Sequence, residues 1–139
     1  MDQLFPNGAY RGEGRWIDQK TDGRYSAQYT IIDGPNGAKV HQVERVFFKP
    51  DGSVAYEEKS TVSFEPQARA SLSVTISAAE GAVTGVGYAF DRECHYDVDI
   101  ASDNHLEFTF HAEPARVHGV GSATNKGNRT YWRETLDRL

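Results

Sequence analysis

The feature that most constrains the fold is a two-residue alternation of apolar and polar side chains, which recurs along almost the whole chain. In the clearest stretch, Leu72, Val74 and Ile76 alternate with serines and threonines. Successive side chains of a β-strand point to opposite faces, so this pattern predicts a strand with one buried and one solvated face. No segment keeps the 3.6-residue period of an amphipathic helix. The sequence therefore predicts an all-β protein.

Clusters of glycine, proline, asparagine and aspartate interrupt the alternation, as in Pro50-Asp51-Gly52 and Asn125-Lys126-Gly127-Asn128. These residues favour tight turns. Counting between the clusters predicts about ten strands, near residues 9–18, 24–33, 38–49, 53–64, 69–79, 82–90, 93–101, 104–112, 115–123 and 128–138.

The connections between these strands are short, which predicts an antiparallel meander. A long meander leaves two unpaired edges unless the sheet closes on itself. We therefore predict that residues 1–139 form a single domain, an antiparallel up-and-down β-barrel. Two packed sheets around a solid core are the alternative, because strand period alone does not separate the two architectures.

The charge balance bears on possible partners and on location. The 139 residues include 20 Asp and Glu against 15 Lys and Arg, a net charge of −5, and the basic residues are scattered singly. Nucleic acids and anionic membranes are recognised by clustered basic residues. No apolar run is long enough to span a bilayer, and the first residues, Met1-Asp2-Gln3-Leu4, lack the character of a signal peptide. We expect a cytoplasmic protein that binds neither nucleic acid nor membranes.

Cysteine and histidine give little support to a metal or a covalent mechanism. Cys94 is the only cysteine, so a disulfide within the chain and a cysteine-rich zinc site are excluded. His95, His111 and His118 lie on three consecutive predicted strands, where zinc could bind them with Asp97 or Glu107 beside them. Because they alternate with apolar residues, however, these histidines are predicted to face outward. We expect no metal, no cofactor and no catalytic residue.

Two short motifs near the ends of the chain suggest a family. Gly14-Arg15-Trp16 falls in the first predicted strand, and Arg129, Trp132 and Arg133 fall in the last. This arrangement resembles the calycin superfamily, the lipocalins and their relatives, in a divergent form of bacterial type. The resemblance implies that Trp16 packs across one end of the barrel with Arg133, or alternatively Arg129, over its indole, a cation–π contact that closes the barrel. It also implies a lumen that holds one small ligand.

Candidate lumen residues follow from the alternation. Six of the seven tyrosines share a strand face with apolar neighbours or with Arg133, and are predicted to face the interior: Tyr25, Tyr29, Tyr56, Tyr88, Tyr96 and Tyr131. Glu58 shares its face with Tyr56 and Val62, which predicts an inward carboxylate paired with Arg133 or Arg45. A slipped register would instead leave Glu58 in solvent.

Our first interpretation is a carrier or sensor that binds a small apolar or amphipathic molecule in the lumen. The predicted ligand-binding residues are Tyr29, Tyr56, Glu58, Tyr88, Tyr96, Phe108 and Phe110. One alternative is an enzyme of isomerase or lyase type, with Glu58 as acid or base and a tyrosine as electrophile. The other is a solid barrel that mediates protein association, including a homodimer through its flat outer faces. A carrier predicts a large dry cavity, an enzyme predicts a carboxylate with a shifted pKa in a cleft, and an association module predicts a filled interior with an apolar outer patch.

Overall fold

The computed structural model describes residue 1 and residues 4–139, and these form ten β-strands and one turn of 3-10 helix. The strands are β1 Gly8–Ile17, β2 Asp22–Asp33, β3 Lys39–Phe48, β4 Val54–Pro66, β5 Ser71–Ala78, β6 Gly81–Phe90, β7 Glu93–Ala101, β8 Asn104–Glu113, β9 Arg116–Asn125 and β10 Asn128–Arg138. The helical turn, Pro35–Gly37, joins β2 to β3. The predicted all-β class is confirmed, and every predicted strand boundary lies within two residues of the observed one.

The strands form a closed barrel. Each strand pairs antiparallel with the next one along the chain, and β10 returns to pair with β1, so that Tyr10 lies opposite Arg138 and Ile17 lies opposite Tyr131. Closure removes the unpaired edges that an open meander of this length would expose. The predicted up-and-down barrel is therefore confirmed, and the two-sheet sandwich is wrong. No helix in the described part of the chain is long and apolar enough to cross a membrane.

The turn between β9 and β10 shows how local sequence sets the meander. Lys126 and Gly127 both have positive φ, 51° and 81°. A two-residue turn with positive φ at both positions is a type I′ hairpin, whose twist matches that of the strands it joins. The turn thus brings Asn125 and Asn128 into register as a pair.

One end of the barrel is plugged by the residues that precede β1. We call it the closed end, and it is the end at which β1 begins. Leu4 and Phe5 are buried there, and the Phe5 ring contacts those of His41, Phe64 and Phe110 at centroid distances of 4.5, 5.0 and 6.1 Å. Burial of apolar rings is the main source of stability in such an interior.

The opposite end, at which β1 ends, is less tightly closed, and we call it the open end. Hydrophobic side chains that pack against the core there are only partly buried, namely Trp16, Phe47, Ile76, Val83, Leu106 and Trp132. The ladder between β6 and β7 is short, because the paired residues of β6 run only from Val86 to Phe90. The two strands stay close just beyond it, since a Cβ on Gly85 would lie 2.9 Å from Cα of Val98.

Inward-facing glycines make room for the two indoles at the open end. Gly23 pairs with Trp16, and Gly121 pairs with Trp132. A Cβ on Gly23 would lie 2.6 Å from Nε1 of Trp16, and a Cβ on Gly121 would lie 2.5 Å from Cζ2 of Trp132. Glycine is required at both positions, because the neighbouring indole lies over the backbone where a side chain would stand.

Two tyrosines lie on the face opposite to the predicted one. Tyr88, on β6, is 43% exposed on the outer face, and Tyr131, on β10, is also exposed there. In β6 the small residues face inward instead, because residues of β7 occupy the space beside them. A Cβ on Gly87, for example, would lie 3.0 Å from Cβ of Tyr96. The prediction that Tyr88 and Tyr131 face the interior is therefore wrong.

The predicted stack of Arg133 on Trp16 does not form. Trp16 lies opposite Trp132, whereas Arg133 lies opposite Arg15, one residue out of phase and on the outer face. Nε1 of Trp16 is buried with no hydrogen-bond partner in the described part of the chain. At this point two indoles, each lying over a glycine, take the place of the predicted arginine–tryptophan stack.

Candidate functional site

A buried ion pair between β3 and β10 forms the centre of the candidate site. The Glu134 side chain is fully buried and that of Arg45 is 14% exposed, with Nη2 of Arg45 lying 3.1 Å from Oε1 of Glu134. Nε of Arg45 donates a hydrogen bond to Oε1 at 3.1 Å, and Nη2 donates one to Oε2 at 3.4 Å. A carboxylate removed from water in this way is tolerated only when its remaining lone pairs are also hydrogen-bonded.

Two tyrosines supply the remaining donors. The Tyr25 hydroxyl donates to Oε1 of Glu134 at 2.8 Å, and the Tyr29 hydroxyl donates to Oε2. Nη2 of Arg45 in turn donates to the Tyr29 hydroxyl oxygen at 2.9 Å. Burial, reinforced by the negative charge of Glu134, raises the pKa of both phenols, so they stay protonated as donors. We call Tyr25, Tyr29, Arg45 and Glu134 the Glu134 cluster.

Small residues on β1 and β2 let these long side chains meet. Gly14 pairs with Tyr25 on one side and with Glu134 on the other. A Cβ on Gly14 would overlap the Tyr25 ring, so glycine opens the path by which the phenol reaches the carboxylate. Arg45 similarly lies opposite Ala27, and its guanidinium carbon is 6.0 Å from the Tyr25 ring centroid and 5.7 Å from that of Tyr29.

The Glu134 cluster is the floor of the open end. Nη1 of Arg45 points away from Glu134 and lies 3.6 Å from Oε1 of Glu58, whose side chain is 49% exposed. Beside Glu58, the rings of Phe47 and Tyr56 stack with their centroids 4.5 Å apart. The open end therefore combines a charged floor with partly exposed aromatic walls.

The predicted ligand-binding residues separate into three groups. Tyr29, Tyr96, Phe108 and Phe110 are buried in the interior, Tyr56 and Glu58 lie at the rim of the open end, and Tyr88 lies on the outer face. Tyr96 stacks on Phe108, and Phe108 stacks on Phe110 at a centroid distance of 4.4 Å. These rings fill the middle of the barrel.

Glu58 is only partly what the sequence predicted. Its register is the predicted one, and Arg45 is the partner at 3.6 Å. The carboxylate is nevertheless half exposed, whereas the enzyme hypothesis required one removed from water. The desolvation that would suit Glu58 to act as a general acid is therefore not observed.

His41, on β3, is buried among aromatic rings, and neither Nδ1 nor Nε2 has a hydrogen-bond partner in the part of the chain that the structure describes. Its ring lies 4.7 Å from Phe64 and 5.7 Å from Tyr29, centroid to centroid. Burial, with a smaller contribution from Lys39, lowers the pKa of His41 to about 3. The imidazole is therefore neutral near pH 7.

Neither Glu134 nor His41 was predicted from the sequence to lie in the site. Glu134 alternates with Trp132 and Leu136, an apolar pair that marks the inner face of β10. The expected stack of Arg133 on Trp16 had assigned the opposite face to the interior. In β3 apolar residues occur on both faces, so the alternation did not place His41.

The histidines predicted to face outward do so, but they do not form one group. His111 lies opposite His118, whereas His95 lies opposite Thr109 and hydrogen-bonds to its hydroxyl at 2.8 Å. The side chains of His95, Asp97 and Glu107 do lie together, with one ligand-type atom of each within 4.8 Å of the others.

This outer cluster is already hydrogen-bonded internally. Nε2 of His95 lies 2.9 Å from one carboxylate oxygen of Asp97, and Nε2 of His105 lies 3.1 Å from the other. Hydrogen bonds, first with Asp99 and then with Asp97, raise the pKa of His105. A metal ion held by the same atoms would displace these hydrogen bonds.

Comparisons with known proteins bear on the fold alone. No protein-family model matches the chain, and no curated protein sequence matches it. Among solved structures, the chain is similar to the crystal structure of Rv2717c from M. tuberculosis, with a TM-score of 0.66 and 11% sequence identity over 99% of this chain and 93% of that one. The ten-strand antiparallel barrel thus has a structural neighbour of nearly the same extent.

Proposed function

We propose that this lipocalin-like barrel binds a small, neutral amphipathic molecule at its open end. The observation that carries the proposal is the Arg45 guanidinium, which is held by Glu134 at the floor of an opening with partly exposed aromatic walls. Ligand sites typically combine mostly apolar walls with a few fixed polar groups that orient the ligand. The open end has this combination, whereas the middle of the barrel is filled.

The charges at the floor indicate which polar group the ligand carries. Arg45 directs Nε and Nη2 to Glu134 and Tyr29, so Nη1 is the nitrogen that faces the opening. A carbonyl or hydroxyl oxygen of the ligand would accept a hydrogen bond there. Two carboxylates, Glu58 and Glu134, share the single positive charge of Arg45, which disfavours an anionic ligand. The apolar part of the ligand would pack on Trp16 and Trp132.

Tryptophan fluorescence tests this proposal directly, because both tryptophans of the chain lie at the open end. The probe is Prodan, a neutral naphthalene ketone whose own emission reports an apolar environment. We expect it to quench the tryptophans with saturation. Absence of saturable quenching up to about 1 mM, the limit of a weak site near −4 kcal/mol, would refute binding at this end.

A matched pair of variants on β6 locates the site. Val83→Phe places a larger side chain in the opening, whereas Val86→Phe places the same side chain on the outer face, where Val86 is 68% exposed. Overpacking costs about 1–3 kcal/mol, so we expect Val83→Phe to weaken Prodan binding about tenfold or more and Val86→Phe to leave it unchanged. Equal affinities in the two variants would contradict the proposal.

A second candidate, association with a second copy of this chain, is favoured by the outer face of β6. Val86, Tyr88 and Phe90 follow one another along this face, and Phe90 is 66% exposed. A filled interior together with an apolar outer stripe is the combination expected of an association module. The mass of the chain in solution tests this candidate.

A further inference from the structure

Three arginines form a row across the outer face of the barrel. Arg15, on β1, lies directly opposite Arg24 of β2 on one side and opposite Arg133 of β10 on the other. Side chains directly opposite each other on antiparallel strands have Cβ atoms about 4.5–5.5 Å apart. Three positive charges are thus held side by side on a rigid sheet. We call these residues the arginine row.

The arginine row has no counterion in the described part of the chain. None of the ion pairs there includes Arg15, Arg24 or Arg133. The exposed Arg116 nearby, in contrast, contacts Asp137 at 2.6 Å. Like charges directly opposite each other destabilise a sheet, and this chain has more acidic than basic residues. A bound anion would therefore reduce the repulsion among these three adjacent arginines.

The row lines a cleft of about 470 Å³. Gly14 is part of its floor, and Phe48 and Gly52, from the end of β3 and the turn that follows it, contribute to its lining. Tyr25 and Glu134 also line the cleft, and the charge of Glu134 is already compensated by Arg45. Glu13 also lines the cleft, so the three arginines outnumber the remaining carboxylate.

We propose that the arginine row binds the phosphate group of a small phosphorylated organic molecule. A single guanidinium satisfies a carboxylate with one pair of hydrogen bonds, whereas a phosphate dianion offers oxygens to several guanidiniums at once. The cleft is larger than a phosphate ion and falls within the range of small-molecule sites. The organic part of the ligand packs against Phe48, the aromatic side chain beside the row.

This site is separate from the one proposed at the open end. The arginine row lies on the outer face and the side chains of the Glu134 cluster lie on the inner face of the same strands, although Tyr25 and Glu134 also line the cleft. The ligands also differ in charge, since the open end disfavours an anion and the row requires one. Failure of one proposal therefore leaves the other standing.

Isothermal titration calorimetry of the full chain with phenyl phosphate tests the inference, with inorganic phosphate and benzoate as comparison ligands. We expect phenyl phosphate to bind more tightly than either, because it alone has both a dianionic group and a ring for Phe48. Equal binding of benzoate would overturn the preference for phosphate, and equal binding of inorganic phosphate would overturn the role of Phe48. No heat from any of the three would overturn the site.

Variants of the arginines on β1 give the sharper test. Arg15→Gln removes the centre of the row, while Arg11→Gln removes the same charge from the same face of β1, where Arg11 lies opposite Gln28 and Asp137. We expect Arg15→Gln to weaken phenyl phosphate binding about tenfold or more, the effect of losing hydrogen bonds to a charged group. We expect Arg11→Gln to have little effect.

Thermal unfolding without ligand supplies an independent readout. Removing the central charge relieves the repulsion within the row, so Arg15→Gln should melt at a higher temperature than the wild-type chain while binding phosphate less well. A merely structural role for Arg15 predicts the opposite shift in melting temperature. Equal loss of affinity in Arg15→Gln and Arg11→Gln would show a general effect of net charge and would overturn the proposal.

Discussion

Replacement of His41 by leucine is expected to stabilise the protein, although it changes one of the most deeply buried side chains. Neither ring nitrogen of His41 has a hydrogen-bond partner in the described part of the chain. A buried polar group left without a partner costs about 1–3 kcal/mol, and the edge-on contact with Phe5 offsets only part of this. We therefore expect His41→Leu to raise the free energy of unfolding at pH 7.5 by about 2 kcal/mol.

The same substitution should remove a pH dependence. The pKa of His41 falls from 6.5 to about 3 on folding, so below pH 6.5 the unfolded chain binds a proton that the folded chain does not. The free energy of unfolding is therefore not reduced by His41 titration above pH 6.5, and it decreases as the pH falls from 6.5 toward 3. The loss is about 1.4 kcal/mol per pH unit, or roughly 3 kcal/mol at pH 4.5.

Urea unfolding followed by tryptophan fluorescence, at pH 7.5 and at pH 4.5, measures both effects. Acidic groups titrate in the same interval, so the quantity to compare is the loss of stability in the wild-type chain minus the loss in His41→Leu. His111→Leu is the matched control, because His111 is exposed on the outer face. If His41→Leu destabilises the protein at pH 7.5 and loses as much stability on acidification as the wild-type chain, the His41 nitrogens have partners in solution and the reasoning is refuted.

Two further predictions concern the Glu134 cluster and the outer stripe of β6. Glu134→Gln leaves the buried Arg45 charge with only the half-exposed Glu58 as a counterion and should cost about 3–5 kcal/mol in urea unfolding. Replacing all four cluster residues (Arg45→Met, Glu134→Leu, Tyr25→Phe, Tyr29→Phe) should recover most of that loss. If the quadruple variant is as unstable as Glu134→Gln, the loss in free energy of unfolding comes from altered packing and not from the buried Arg45 charge. If the stripe joins two copies, light scattering should give twice the monomer mass for the wild-type chain and for Val120→Lys, an exposed position on β9, but the monomer mass for Val86→Lys. A monomeric wild-type chain, or equal masses for the two variants, would contradict association through β6.

The architecture was predictable because two sequence signals, the apolar–polar alternation of the strands and the turn residues between them, agreed along the chain. The alternation in β5, for example, marks Leu72 and Val74 as buried, and the turn residues at Lys126 and Gly127 fix the hairpin that follows β9. Antiparallel neighbours need only short connections, so strand order follows directly from the turns. Closure follows because an open meander would expose two edges.

The inward and outward faces of β6 and β10 were not predictable by the same reasoning, and β6 shows why. In β6 the bulky residues Val86 and Phe90 are exposed while Gly85 and Gly87 face inward, which reverses the usual assignment of large apolar residues to the interior. The reason lies in β7, whose Val98 lies against Gly85 and whose Tyr96 lies against Gly87. This information is non-local, because it depends on which β7 residue lies beside each glycine.

The Glu134 cluster was unpredictable for a related reason. A lone glutamate in a strand normally marks the solvent face, since a buried carboxylate is costly without partners. Its partners come from β2 and β3, far away in sequence, and they reach it only because Gly14 and Ala27 leave space on the wall. Only the closed barrel brings these positions together.

The two proposed sites use opposite faces of the same three strands, and strand alternation links them. Tyr25, Gly14 and Glu134 form a row on the inner face of β2, β1 and β10, and each is followed or preceded in sequence by an arginine of the outer row. The single-residue step that buries the Glu134 carboxylate therefore also exposes Arg133 beside Arg15. A one-residue slip of β10 that brought Arg133 opposite Gly14 would turn this arginine inward toward Tyr25 and would place Glu134 on the outer face opposite Glu13. The inner cluster and the outer row thus depend on one register, and the register holds because the buried ion pair forms only when Glu134 faces inward.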